Sequence, residues 1–449
     1  MILARFVDPI DFGLFEIIVL ITSFSSIFVD SGFSQALIRD RDATAVDLST
    51  VFIFNVLISV LVYIMLILAL PYLLCFFNAK EIYYGTIVAL GVIVVDAFGL
   101  VQNVKLTKKL QFKEISIASL LGIILGGLSG LFFATNGYGL WSLISMIVVN
   151  SIVKTLYLWI KGDNDIVLCF RMKRLKKYFN FGFFVFVQSF LDKLLMNMET
   201  IFVGKFYTKT QLGFFSQSRK VDSYFGQALT NVVVKVSFPA LVQLNTSDEK
   251  LKMGYKKIIE LTTFVICPFM LLMLFFPHLI MNVLFGEKWI AAGDLLRLWA
   301  IFGLVHPIQS ICNNIFYVKG EGKIMFRITI IRQALKFLAL ALFVGMGLEI
   351  MLLSVIITSI ISMIIYVYNS GKLINYSLGE IIKDVSPNII TASVMAYIIL
   401  LFNNYVHFTD IYIMLISDVV LMFSGYFVVS YVLKFNGARE IVTLLKNRR

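Results

Sequence analysis

Charge is what this sequence has least of. Only 15% of its 449 residues are Asp, Glu, Lys or Arg, where soluble domains carry about 25%. With 59% hydrophobic residues and a mean hydropathy of +0.89, that shortage excludes an ordinary soluble domain. Cysteine is also sparse. Cys75, Cys169, Cys267 and Cys312 lie in or beside apolar runs and none forms a C-x-x-C pair. They read as buried small hydrophobes rather than disulfides or metal ligands. The three histidines, His278, His306 and His407, are too scattered for a metal centre. No GxxxxGK[ST], HExxH or GxSxG motif occurs, so nothing supplies nucleotide hydrolysis or an activated nucleophile, and an enzyme with a bound cofactor is not expected. The N-terminus also lacks the basic region, apolar run and small-residue cleavage site of a signal peptide.

What is present is a succession of apolar runs, each about 20 residues long or longer and bounded by loop chemistry. The spans fall near 12–34, 48–77, 84–104, 115–135, 139–160, 181–204, 222–243, 258–285, 294–318, 327–347, 350–370, 388–405 and 411–433. The fold class is therefore all-α and polytopic. The 42 phenylalanines suit a surface that is itself apolar. Prolines 71, 239, 268, 277 and 307 lie within or near spans and predict kinks.

The net charge of +12 is not gathered into a nucleic-acid-binding face. Alternate loops hold about 26 basic residues against about 7 in the opposite set. The richer set runs from Arg39 and Arg41 through the segment Lys161–Lys177 to the tail Lys434, Arg439, Lys446, Arg448 and Arg449. Those loops, and the C-terminus, are expected in the cytoplasm. That orientation leaves Arg5 to Asp11 outside with only Met1 to Ala4 ahead of them. A missing first helix, bringing the count to fourteen, is the expectation that explains it.

The longest polar loop divides the chain into a lobe at 1–161, a basic inter-lobe loop at 162–177, a second lobe at 178–372, and two further helices with a basic tail at 373–449. An echo crosses the divide. Ala4-Arg5-Phe6 followed by Gly13-Leu14-Phe15 reappears 200 residues later as Gly204-Lys205-Phe206 followed by Gly213-Phe214-Phe215. Gln35-Ala36-Leu37-Ile38 is mirrored by Pro239-Ala240-Leu241-Val242. Duplicated halves are a transporter architecture, with the substrate site at the repeat interface.

Charged residues inside the spans each cost about 2.5–3.5 kcal/mol on insertion scales and ask for a reason. Asp30, Asp96, Lys154, Asp192, Lys193, Glu199, Lys235, Arg332 and Lys336 qualify. Gln188, Asp192 and Glu199 share one face of an ideal helix, and Gln227, Asn231 and Lys235 recur every fourth residue. Asn150 with Lys154, and Arg332 with Lys336, are further four-residue pairs. Such stripes should face a watery interior. The plainer readings are snorkelling for Arg332 and Lys336, an internal ion pair for Asp192, and a structural kink for Asp30 before its Ser-Gly and for Asp96 before Gly99.

Six motifs then occur in order: Pro9-Ile10-Asp11-Phe12-Gly13, Asp30-Ser31-Gly32-Phe33-Ser34, Tyr138-Gly139-Leu140-Trp141-Ser142-Leu143, Gly204-Lys205-Phe206 with Leu212-Gly213-Phe214, Phe238-Pro239-Ala240-Leu241, and Gly286-Glu287-Lys288-Trp289. Together they make nearly the whole chain resemble the polysaccharide transporter family of the multidrug/oligosaccharidyl-lipid/polysaccharide exporter superfamily. The resemblance implies two pseudo-repeated helical lobes around a central cavity, with two extra C-terminal helices. It also implies a flippase for an undecaprenyl-diphosphate-linked oligosaccharide in O-antigen, capsule or exopolysaccharide assembly, working by alternating access in the bacterial cytoplasmic membrane. The sequence departs from the family where its first helix should be.

For that cargo Lys235, Lys154, Arg332 and Lys336 are the expected cationic contacts to diphosphate, and Asn231 and Gln227 the expected partners of sugar hydroxyls. Asp192 and Glu199 would take a coupling H+ or Na+. The expected partners are the lipid-linked oligosaccharide, membrane lipids, and a polysaccharide polymerase with its chain-length machinery. A multidrug or metabolite exporter is the alternative, against which the mixed cationic and amide-rich stripes weigh. A membrane glycosyltransferase would need a sizeable soluble loop with an acidic cluster, which is absent.

Overall fold

The computed structural model describes residues 1–30, 32–162, 169–406 and 408–446, and the side chains at 29, 30, 180, 181, 441 and 444–446 lie outside that description. The expectations for the side chain of Asp30 and for His407, Arg448 and Arg449 therefore fall outside the described residues. All regular structure among the described residues is helical. The chain forms two compact units, Met1–Gly213 and Phe214–Arg449, whereas the polar loop at 162–177 marked the division expected from sequence.

The first unit holds α1 (Ile2–Phe6), α2 (Pro9–Asp30), α3 (Phe33–Arg39), α4 (Ala45–Phe76), α5 (Tyr83–Lys108), α6 (Phe112–Thr135), α7 (Leu140–Lys161), α8 (Met172–Met196), α9 (Met198–Phe206) and the first residues of α10 (Lys209–Asp222). The second continues through α11 (Ala228–Leu244), α12 (Asp248–Phe275), α13 (Pro277–Phe285), α14 (Gly293–Lys319), α15 (Gly322–Phe343), α16 (Leu348–Ile374), α17 (Leu378–Tyr405), α18 (Ile411–Val432) and α19 (Asn436–Lys446). Among the described residues 12 helices are long and apolar enough to cross a membrane, or 13 if the two segments of α8, bent by 49°, count as one span. The protein is thus a multi-pass membrane protein.

Each expected span finds a helix, and the departures have local causes. The span at 258–285 is two helices. Pro277 has no backbone N–H to continue the ladder of α12, and it opens α13 at the first helical position, where none is needed. Pro71, Pro239, Pro268 and Pro307 by contrast lie inside continuing helices. The span at 181–204 is divided at Asn197, between α8 and α9. The span at 222–243 belongs to a longer rod, Lys209–Leu244, interrupted by a π turn at Ser223–Gln227.

α4 shows why these helices suit lipid. Ser49, Thr50, Asn55 and Ser59 are fully buried, while Leu57, Leu61, Ile64 and Leu68 are more than half exposed. Polarity is inside and apolar surface outside, the reverse of a soluble helix. The helix begins at a capping box, Thr44 with Asp47. At its other end Lys205 Nζ donates to the Phe76 carbonyl at 2.7 Å, and Lys209 Nζ to that of Phe77. Two cations thus satisfy the orphan carbonyls at a helix C-terminus.

Packing in the first unit relies on small residues. Ala118, Gly122, Gly126, Gly130 and Ala134 recur every fourth residue along α6 and are all buried. A Cβ on Gly126 would stand 2.6 Å from the Met146 carbonyl oxygen of α7, so the two backbones meet directly. A second crossing is reciprocal: a Cβ on Gly13 would meet the Lys209 carbonyl oxygen at 1.8 Å, and one on Gly213 the Pro9 oxygen at 2.0 Å.

The second unit packs through larger side chains. Tyr255, Phe316, Tyr366 and Tyr376 are all but fully buried in one core, where the Tyr255 hydroxyl pairs with Cys312 Sγ at 3.0 Å. Cys267 is buried too, but Cys75 is exposed and Cys169 half-buried, so the expectation of four buried cysteines fails at both. The apolar run holding Cys75 is the lipid-facing end of α4.

Candidate functional site

Polar side chains that the sequence scatters over more than 150 positions converge in the first unit. α5 and α7 are joined along a seam in which residues of α7 one turn apart reach α5. The Ser151 hydroxyl donates to Asp96 Oδ1 at 2.6 Å, the Thr155 hydroxyl to the Val95 carbonyl at 3.3 Å, and Trp159 Nε1 to the Phe98 carbonyl at 3.0 Å. Gly99 lets this seam close, because a Cβ there would stand 3.0 Å from the Thr155 hydroxyl. Beside the seam lies a cavity of about 390 Å³ lined by Asp96 and Asn103 from α5, Lys154 from α7, Ser26 from α2, Ser34 from α3, and Ser189 and Phe186 from α8. Asp96, which precedes Gly99 by three residues, thus lines this cavity as well as joining the seam.

A second cavity, of about 400 Å³, shares Phe186 with the first and is almost wholly apolar. Phe28, Phe33, Phe54, Phe179 and Phe183 line it together with Leu61 and Met65 of α4. The rings of Phe28 and Phe186 lie 5.0 Å apart and those of Phe33 and Phe54 5.1 Å apart, within the range of favourable aromatic contact. The arrangement can receive a molecule with a charged or hydroxylated head and a hydrocarbon tail.

The remaining sequence-predicted residues do not join this cavity. Asn150, the expected partner of Lys154, instead faces the glycine stripe of α6, where a Cβ on Gly122 would meet Asn150 Oδ1 at 2.3 Å. Asp192 and Glu199 do not share one environment, because the helix breaks at Asn197 between them: Asp192 is exposed and Glu199 buried. In the second unit Asn231 and Lys235 are exposed on α11, while Arg332 and Lys336 are half-buried on α15. Gln227 does not point its amide to a stripe with them. Its Nε2 donates to Asp222 Oδ2 at 3.1 Å. Among the described residues no three His, Cys, Asp or Glu side chains are grouped as a metal site would require. His278 instead meets Asp294 at 3.3 Å, and His306 lies against Phe302.

Asp222 escaped the sequence reading. It is fully buried, and its Oδ1 has no hydrogen-bond partner among the described residues. Gly303 of α14 leaves just enough room, since a Cβ there would stand 2.8 Å from that oxygen. The signal was hidden because Asp222 and Gln227 are five apart, a spacing that only a π turn brings together.

Outside the spans, Asp40 ties three helices at one point. It accepts from Lys177 Nζ at 2.5 Å and from the Tyr178 hydroxyl at 2.7 Å, and its carbonyl accepts from Lys108 Nζ at 2.6 Å. The Lys177 ammonium, then the Tyr178 hydroxyl, hold its carboxyl down at about 2.

Comparison with known proteins gives consistent results. The family model described as "Polysaccharide biosynthesis protein" matches residues 2–294. The teichuronic acid biosynthesis protein TuaB of Bacillus subtilis is 23% identical over 308 residues, 68% of this chain and 64% of that protein. The chain thus spans less than two thirds of that relative's length. The lipopolysaccharide biosynthesis protein WzxC of Escherichia coli is 21% identical over 336 residues, 74% of this chain and 68% of that one. Among solved structures, the lipid II flippase MurJ in an inward closed conformation superposes with a TM-score of 0.74 at 16% identity, covering 98% of this chain and 95% of that one.

Proposed function

The chain belongs to the polysaccharide biosynthesis protein family, and from that premise we propose that it is a flippase carrying an undecaprenyl-diphosphate-linked oligosaccharide across the bacterial cytoplasmic membrane by alternating access. The observation that supports this reading best is the pairing of a polar cavity holding Lys154, Asp96 and Asn103 with an apolar aromatic cavity that shares Phe186. A lipid-linked sugar is amphipathic in the same sense: an anionic, hydroxyl-rich head needs cations and amides, and an isoprenoid tail needs apolar surface. Lys154 is the proposed contact of the first unit to phosphate. Lys235, Arg332 and Lys336 are the proposed cationic contacts of the second, with Asn231 and Gln227 as hydroxyl partners. Asp192 and Glu199 are the proposed ion-coupling residues for H+ or Na+. The bias of basic loops supports a cytoplasmic C-terminus. A polymerase and its chain-length machinery would consume the product outside.

The test is a deletion strain scored for surface polysaccharide and for lipid-linked intermediate. Loss of polymer with intermediate accumulating inside, rescued by this chain or by an N-terminally extended form, is the expected result. Unchanged polymer and intermediate in a strain without a second flippase would sink the cargo assignment and leave a drug or metabolite exporter as the better reading.

A further inference from the structure

The cavity of the first unit contains charges of both signs. Asp96 and Lys154 both line it. Yet Asp96 Oδ1 accepts from the Ser151 hydroxyl at 2.6 Å, and the two charges form no ion pair among the described residues. Lys has a long, flexible stem that collapses readily onto a neighbouring carboxylate. Here Ser151 holds the carboxylate on the α5–α7 seam, one turn before Thr155, and both charges stand open to about 390 Å³ of cavity. Membrane-embedded charges that do not neutralise each other invite a counter-charge from a ligand. A plain anion would satisfy Lys154 and be repelled by Asp96; a plain cation would meet the reverse.

We propose that this cavity binds a zwitterionic head group, with a phosphate or carboxylate against Lys154 and an ammonium against Asp96. Asn103 and Ser189 then meet its hydroxyls. The inference narrows the cargo of the proposed flippase to amine-bearing heads and rests on that reading for its biological meaning. The same chemistry occurs in an amino-sugar phosphate and in an ethanolamine phospholipid head.

The test uses the purified full chain in an uncharged detergent and isothermal titration with phosphoethanolamine, glucosamine 1-phosphate, inorganic phosphate and ethanolamine. A zwitterionic probe should bind at least about tenfold more tightly than phosphate or ethanolamine. Tighter binding of glucosamine 1-phosphate would identify a sugar head, and tighter binding of phosphoethanolamine a phospholipid head. Asp96→Asn should bring the zwitterions down to the affinity of phosphate, and Lys154→Gln down to that of ethanolamine. Ser151→Ala keeps both charges and frees the carboxylate, so it should weaken the preference without abolishing it, which provides a second reading if Asp96→Asn does not fold. Equal affinity for phosphate and both zwitterions in the wild type, a preference untouched in Asp96→Asn, or no binding by any probe would overturn the proposal. A zwitterion preference in a protein whose deletion leaves lipid-linked intermediates unchanged would remove the cargo reading and leave this one standing.

Discussion

The cavity of the first unit treats its charges differently from the helix ends of both units. In the cavity, Asp96 and Lys154 stand together without joining. At the helix ends charges are tied to one another, Asp40 with Lys177 in the first unit and four pairs in the second. Lys252 meets Glu380 at 2.8 Å, Lys256 meets Asp384 at 2.8 Å, Lys319 meets Asp248 at 2.6 Å, and Lys257 pairs with Glu440 of α19. Buried amides there are used in the same way: Asn314 Nδ2 donates to the Ser237 hydroxyl at 2.9 Å, and Asn388 Nδ2 to the Thr263 hydroxyl at 2.9 Å. The contrast separates two uses of polar residues in a membrane protein. Satisfied groups fix helix positions, and groups left open to a cavity await something else.

The units differ in packing, and breaking that difference has the largest effect. Gly126→Leu would force α6 off α7 and should cost about 3 kcal/mol or more by overpacking, measured as lost folded yield in detergent. Next comes the tied network. Asp384→Ala strips partners from both Lys256 and Tyr376 and should lower unfolding free energy by about 1–3 kcal/mol, with head-group binding in the first unit unchanged. Tyr255→Phe removes the hydroxyl facing Cys312 and should cost about 0.5–1.5 kcal/mol. Lys154→Gln should do the opposite of Asp384→Ala: an unchanged melting temperature with transport reduced roughly tenfold or more. If Lys154→Gln instead melts early, its lysine is structural and the contrast between cavity and helix ends collapses.

The smallest effect concerns pH. The carboxyl of Asp40 is depressed from an ordinary value of about 3.9 to about 2. Its tie to Lys177 and Tyr178 therefore stabilises the fold fully above about pH 4 and is lost as pH falls through about 2. Amide protection at the end of α3, taken relative to the intrinsic exchange rate at each pH, should be the same at neutral and mildly acidic pH and fall only in strong acid. Asp40→Asn should remove that acid step.

The helices were legible because lipid demands long apolar runs whatever their partners are. Their interruptions were less so. Pro277 advertises a break, but Asn197 and the π turn at Ser223–Gln227 carry no such mark. The polar cavity was half legible: Lys154 and Asp96 both stood out as unexplained charges, although Asp96 before Gly99 also admitted the plainer reading of a kink. In the fold, that glycine serves the seam that holds Asp96. Asn103, Ser26, Ser34 and Ser189 could not have been grouped at all, since they come from four helices and each alone is an unremarkable polar residue. Helical spacing also misled where the helix is not continuous, as for Asp192 with Glu199.

The reversed polarity of α4 has a consequence for handling the protein in water. Its interior face carries the hydroxyls and the amide of Ser49, Thr50, Asn55 and Ser59, all buried away from the surrounding medium. The outer stripe, Leu57, Ile64 and Leu68, specifies a hydrocarbon medium, whereas Leu61 lines the apolar cavity. Rewriting such stripes to Glu, Lys and Gln, helix by helix, is the route to a water-soluble analogue that keeps its internal seams, with the bilayer treated as an exchangeable coat rather than as part of the fold.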